Sequence, residues 1–90
     1  MQFSPKQKSV IQKAVDNNYL SSRMSPEAID MLLKIEPKNQ YEANHIIGLV
    51  MAVAYGKGDG IGDIWHPVKR SAEQDRLAKL LTGILLNYAV

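Results

Sequence analysis

Apolar residues recur at helical spacing in four stretches of this chain, and polar, Pro-bearing or Gly-rich segments divide them. Val10, Ile11, Ala14 and Val15 form the first stripe, with Lys6, Lys13, Asp16 and Asn17 falling outside it. Ser4-Pro5-Lys6-Gln7 predicts where that helix starts: Ser4 can cap, Pro5 suits the first helical position, and Gln7 completes a capping box. The Asn17-Asn18-Tyr19 run weakens the helix and predicts its end. Ser25-Pro26-Glu27 repeats the start signal, and Ala28, Ile29, Leu32 and Leu33 make the second buried stripe. Pro37 stops this helix by Glu36.

The third stretch is the most apolar. Every residue from Ile46 to Ala54 is apolar or Gly, whereas Tyr41, Glu42, Asn44 and His45 make a polar entrance. The pattern predicts a helix from Asn39 or Gln40 to Tyr55, stopped by Gly56 and buried on most sides. It is too short for a bilayer, which needs roughly 20 apolar residues. Gly48 inside it costs about 1 kcal/mol against Ala in an exposed helix, so close packing of a neighbour is the expected return.

A last helix is predicted from Pro67, through Arg70, to about Tyr88. Leu77, Leu80, Leu81, Ile84, Leu85 and Tyr88 form its core stripe, broadened by Ala78, Leu86, Ala89 and Val90. The apolar ending predicts that Ala89 and Val90 pack against something, a second subunit being the natural candidate. No β-alternating run, repeat or low-complexity tract interrupts this reading. The expectation is an all-α fold: one domain over residues 1–90, four helices, the two strongly apolar ones forming a hairpin, and a homo-oligomeric assembly.

Size sharpens the last point. A 90-residue domain buries only about 60–65% of its unfolded surface, so extra burial between subunits would matter. The chain has no cysteine, which removes disulfides, zinc thiolate sites and thiol nucleophiles. MQFSPKQKSV carries lysines with no apolar run behind them, so no signal peptide is expected and a cytoplasmic location is. A net charge of +2 and a pI near 9.0 suit an anionic partner but not a strong DNA coater.

Gly56, Gly58, Gly60 and Gly62 in GKGDGIGD leave backbone amides that could face an anion, with Lys57 the natural contact. The segment lacks the Gly-Lys-Ser/Thr of a P-loop. It also fails the dinucleotide fingerprint, because Asp63 stands where a last Gly is required. An EF-hand counted from Asp59 would need Glu where Arg70 stands. The plainer reading is a flexible connector. Glu42 and His45 share a helical face, but di-metal bundles need two such pairs plus two further carboxylates, so no metal or other cofactor is expected. No nucleophile set or catalytic carboxylate pair stands out, and catalysis is not expected. Trp65, Tyr19, Tyr41 and Tyr55 could stack on bases, although the plainer reading of Trp65 is a plug in the core after the glycine-rich loop.

Arg76, Lys79 and Thr82 follow one another at three-residue steps beside the leucine stripe of the last helix. Two cations and a hydroxyl at the edge of an apolar interface would suit a phosphate at a subunit junction. The plainer alternative is a solvated helix edge.

Tyr41-Glu42 opening a helix of small apolar residues, Pro67 and Arg70, and the ending LxxxxLLNYAV from Leu80 together resemble a known family. These are the phage anti-CBASS sponges, which sequester cyclic oligonucleotide immune signals through a hairpin domain shared with Thoeris anti-defence proteins. The resemblance covers about half of the chain; the first 40 residues have no counterpart, and the glycine loop is longer than the family's tight turn. It implies a non-catalytic helical hexamer in the host cytoplasm. Such an assembly would hold cyclic di- or trinucleotides between subunits, by aromatic stacking on bases and basic or hydroxyl contacts to phosphates. Arg76, Lys79 and Thr82 match in kind, and Asn87 falls near a similarly placed Asn.

The first functional reading is therefore a cyclic-oligonucleotide sponge, with Arg76, Lys79, Thr82, Lys57 and Tyr41 as ligand contacts and neither membrane nor duplex nucleic acid as partner. Its rival is a small adaptor or inhibitor that docks on a host protein through apolar surface. A helix-turn-helix reading is weaker, because the helix that would enter the groove is too apolar.

Overall fold

A computed structural model describes residues 3–56 and 70–88 of the chain. The described residues form four helices and no strand: α1 Pro5–Asp16, α2 Pro26–Lys34, α3 Gln40–Tyr55 and α4 Arg70–Leu86. The chain is all-helical in these parts, as its periodicity predicts. Pro67, expected to open the last helix, and Ala89 and Val90, expected to pack, lie outside the described residues.

Local chemistry sets each helix end. Ser4 Oγ accepts from the Gln7 amide at 3.1 Å, while Gln7 Oε1 accepts from the Ser4 amide at 2.9 Å, the reciprocal capping box. α1 ends at Asn17, and Asn18 then turns the chain with φ 61°, a left-handed conformation that Asn tolerates. Ser25 Oγ accepts from the Ala28 amide at 3.2 Å to start α2, which gives way to extended backbone at Ile35, two residues before Pro37. Asn39 caps α3 by accepting from the Glu42 amide at 2.8 Å. Gly56 closes α3 in the left-handed region with φ 70°, its N–H donating to the Ala52 carbonyl at 2.9 Å.

α3 is the helix on which α1 and α4 are built. Its Ala43, Ile46, Gly48, Leu49, Val50, Ala52 and Val53 are all buried, so its burial runs around most of its circumference. α4 packs on it most extensively, α1 packs on another side, and α2 bridges α1 and α4. Leu20, Leu32, Ile46, Val50, Val53, Leu81 and Leu85 are fully buried where these surfaces meet. Each such side chain stabilises the fold by about 1.5–3 kcal/mol relative to exposure.

α4 departs from its expected stripe. Ala78, Leu81 and Leu85 are buried, Leu77, Ile84 and Tyr88 pack at the flanks, but Leu80 is 45% exposed and Leu86 54%. Consecutive helical residues are about 100° apart, so Leu80 cannot face α3 while Leu81 does. Leu33 of α2 is 45% exposed for the same reason, next to buried Leu32. No helix among the described residues is long and apolar enough to cross a membrane.

Polar side chains fix where α4 begins. Three of the last carbonyls of a helix lack intrahelical partners once a single cap bond is made. Gln74 supplies one by donating from Nε2 to the Val53 carbonyl at 3.0 Å. Arg23, in the turn after α1, reaches the same place: Nε lies 3.2 Å from Asp75 Oδ1 and Nη2 donates to Gln74 Oε1 at 3.5 Å. The start of α4 thus sits beside the end of α3, and the end of α4 shares a cleft with Lys38, Glu42 and His45 near the start of α3.

Candidate functional site

The side of α4 turned away from Leu81 and Leu85 is exposed and mixed in character: Arg76, Lys79, Leu80, Gly83, Leu86 and Asn87 all face solvent. A Cβ built on Gly83 would meet no atom within 4 Å. Two exposed leucines around a bare glycine, with two cations beside them, make the clearest unpaired surface of the described residues.

The three α4 residues selected from sequence do not converge on one point. Each three-residue step moves about 60° backwards around a helix, so Arg76 and Lys79 lie on the outward face while Thr82 has drifted to the edge of the buried one, half-covered. Thr82 Oγ1 donates to the Ala78 carbonyl at 2.8 Å, so its proton is committed within the helix. Arg76 forks onto Glu73, with Nε 3.2 Å from Oε2 and Nη2 paired to Oε1. The hydrogen bond from Arg76, with its charge, holds the Glu73 carboxyl below the usual range; the same hydrogen bond raises Arg76 further. Both groups are solvent-facing, so the pair adds little to stability. Its consequence is chemical: an anion approaching Arg76 must compete with Glu73.

Tyr41, in the first turn of α3, is 80% exposed. The structure does not bring it to the Arg76 face by any described contact. Tyr19 and Tyr55, the other aromatic candidates, pack edge to face with ring centroids 5.3 Å apart and planes at 73°. Lys57, the remaining glycine-loop residues, Trp65 and His66 lie outside the described residues.

Among the clefts lined by described residues are four that Arg76, Lys79, Thr82 and Tyr41 do not line. One lies between α1 and the end of α2, about 270 Å³, with Lys8 and Lys34 over Phe3, Ile11 and Leu32. Another, about 210 Å³, holds His45 and Glu42. Among the described residues no three His, Asp or Glu side chains gather as metal ligands. Gln74 and Arg23, which hold α4 in place, carried no signal in the sequence, because their partners are remote. Compared with protein-family models, curated proteins and solved structures, the chain shows no match.

Proposed function

We propose that this protein is a non-catalytic binding protein. Its subunits associate through the outward face of α4 and hold a cyclic oligonucleotide between them, removing an immune signal without destroying it. The observation that supports this reading is the juxtaposition on α4 of exposed Leu80, Leu86 and Gly83 with the cations Arg76 and Lys79. Apolar residues exposed in one subunit gain by meeting a second. The cations then flank a partly dried junction, where a phosphate makes charge-assisted hydrogen bonds. The likeness of Tyr41-Glu42 and the Leu80–Val90 ending to the anti-CBASS sponges supplies the ligand class and points to a hexameric assembly with the two apolar helices as a hairpin.

The phosphate would replace Glu73 at the Arg76 guanidinium, with Lys79 as a second cation. Thr82 would join only by turning its hydroxyl away from Ala78. Calorimetry against a panel of cyclic di- and trinucleotides and their linear counterparts tests the reading. At least one cyclic ligand should bind and be recovered intact, and Arg76→Ala should weaken it roughly ten- to hundredfold, the loss of one charge-assisted bond. Equal binding of cyclic and linear dinucleotides would replace this reading with a protein-docking one.

A further inference from the structure

The exposed face of α4 has a symmetry of its own. Leu80 stands three residues before Gly83, and Leu86 three residues after it. These leucines lie about 60° to either side of Gly83 around the helix, and about 4.5 Å below and above it along the axis. All three residues are exposed, and a Cβ on Gly83 would meet nothing within 4 Å. A centred glycine lets a second backbone approach closely, and leucines placed evenly around it close the contact on both sides. Lys79 and Asn87, also exposed, repeat the relation one step further out, four residues before Gly83 and four after.

Charge decides what can lie on this face, and in which direction. Arg76 and Lys79 occupy its N-terminal half, and no basic residue stands in the last turn of α4. A second α4 running parallel would set Arg76 against Arg76 and Lys79 against Lys79 at the same heights. Running antiparallel about a two-fold axis at Gly83, it separates the two Arg76 residues by about 20 Å along the helices. That is twice the screening length of roughly 10 Å at 0.1 M salt. The same operation brings Lys79 of each chain level with the partner's Asn87, one residue past the end of α4. The carbonyls of that end carry the negative pole of the helix dipole. Long helical side chains lean toward their own N-terminus, which carries the Lys79 ammonium outward over it. The face repels a parallel copy of itself and attracts an antiparallel one.

We infer that the partner of this face is a second copy of the chain, docked as an antiparallel α4–α4 pair on a two-fold axis at Gly83. This rests on the reading of the outward face of α4 as a subunit junction, and it names the partner and its direction. Gly83 meets Gly83 on the axis, and Leu80 of each chain shares a layer with the partner's Leu86. Lys79 and the partner's Asn87 make one composite polar corner at each end. The pair therefore carries two equivalent anion positions, each built from both chains. Such an isologous contact closes on itself.

The chain has no cysteine, so introduced thiols report on the pair alone. Isotopically labelled Leu80→Cys and unlabelled Leu86→Cys are mixed, oxidised briefly and weighed by mass spectrometry, with Lys13→Cys on the exposed side of α1 as background. The mixed disulfide should exceed several-fold the disulfide that either variant forms alone, because only residues of one layer come within bridging distance. Leu80→Cys bridging mainly to itself would mean a parallel pair, and bridging of the mixture at the background level would mean another partner; either overturns the inference. Sedimentation gives a second measurement that needs no thiol. Gly83→Ala should weaken self-association roughly tenfold by crowding the axis, and Lys79→Gln should weaken it several-fold. A Gly83→Ala chain that associates as tightly as the unmodified one also overturns the pair. Calorimetry separates this from the ligand reading. Mixed disulfide without binding of any cyclic oligonucleotide supports the pair and overturns the sponge. Tight cyclic-oligonucleotide binding with bridging at background overturns the pair and leaves sequestration standing.

Discussion

Glu73, Gln74, Asp75 and Arg76 are consecutive on α4 and do different work. Gln74 gives an end-of-helix carbonyl on α3 its partner, and Asp75 meets Arg23. Gln74→Ala leaves the Val53 carbonyl without that donor and should cost about 1–2 kcal/mol, seen as a lower urea midpoint with an unchanged slope. Glu73 and Arg76 bond to each other, and the pair matters for charge rather than stability. Glu73→Gln removes the carboxylate that occupies Arg76, so binding of an anionic ligand should tighten several-fold while Arg76→Ala weakens it. An unchanged affinity in Glu73→Gln would mean that the ligand does not reach Arg76. The pH dependence has a definite sign. The folded carboxyl of Glu73 sits below its unfolded value, so its contribution is present above the ordinary carboxylate range and is lost as pH falls through the depressed folded value. Acid titration of stability should therefore be slightly shallower in Glu73→Gln than in the unmodified protein.

At the scale of the helices, what was legible in the sequence is what is local. The Ser4–Gln7 box, the Ser25-Pro26 start, the Asn39 cap and the Gly56 stop each join residues no more than four positions apart, so a short window contains both partners. The burial of α3 was legible because Ile46–Ala54 leaves no polar face to expose. The face of α4 was not. Its apolar residues cover more circumference than α3 and α2 can hide, and the Gln74–Val53 bond that seats α4 on α3 joins residues 21 apart in sequence. The same orientation leaves Gly83 in open space within an exposed helical turn. Gly83→Ala should stabilise the subunit by about 1 kcal/mol, since the methyl meets nothing and the backbone loses freedom only in the unfolded chain. Thermal unfolding of isolated chains checks the gain; in the assembly proposed above, where a second chain meets this face, the added methyl should instead weaken association. Of the candidate contacts, Arg76 and Lys79 were legible as exposed cations, whereas Thr82's turn toward Ala78 depends on packing that no periodicity encodes.

For the whole molecule, the exposed leucines decide where an assembly can be cut without unfolding its parts. The leucine stripe read from sequence makes Leu85 and Ile84 look like the residues to charge. Leu85, however, is fully buried in the subunit's own core, and Ile84 packs on that core. Leu85→Glu would force a carboxylate among apolar side chains, at a cost of several kcal/mol that a domain of this size can scarcely bear. Its effect on assembly would be indistinguishable from unfolding. Leu80 and Leu86 stand at 45% and 54% exposure on the opposite side, where a charge meets water in the isolated subunit and apolar surface only in an assembly. The double variant Leu80→Glu, Leu86→Glu should keep the helical circular dichroism of the unmodified chain and should sediment as single chains at micromolar concentration. The unmodified chain should sediment as an oligomer in the same buffer. If it also runs as a well-folded single chain, the outward face of α4 is not a subunit junction. The cations beside it would then have to act alone on a wet surface, where solvent screening leaves an ion pair too weak to retain a signal at cellular concentrations.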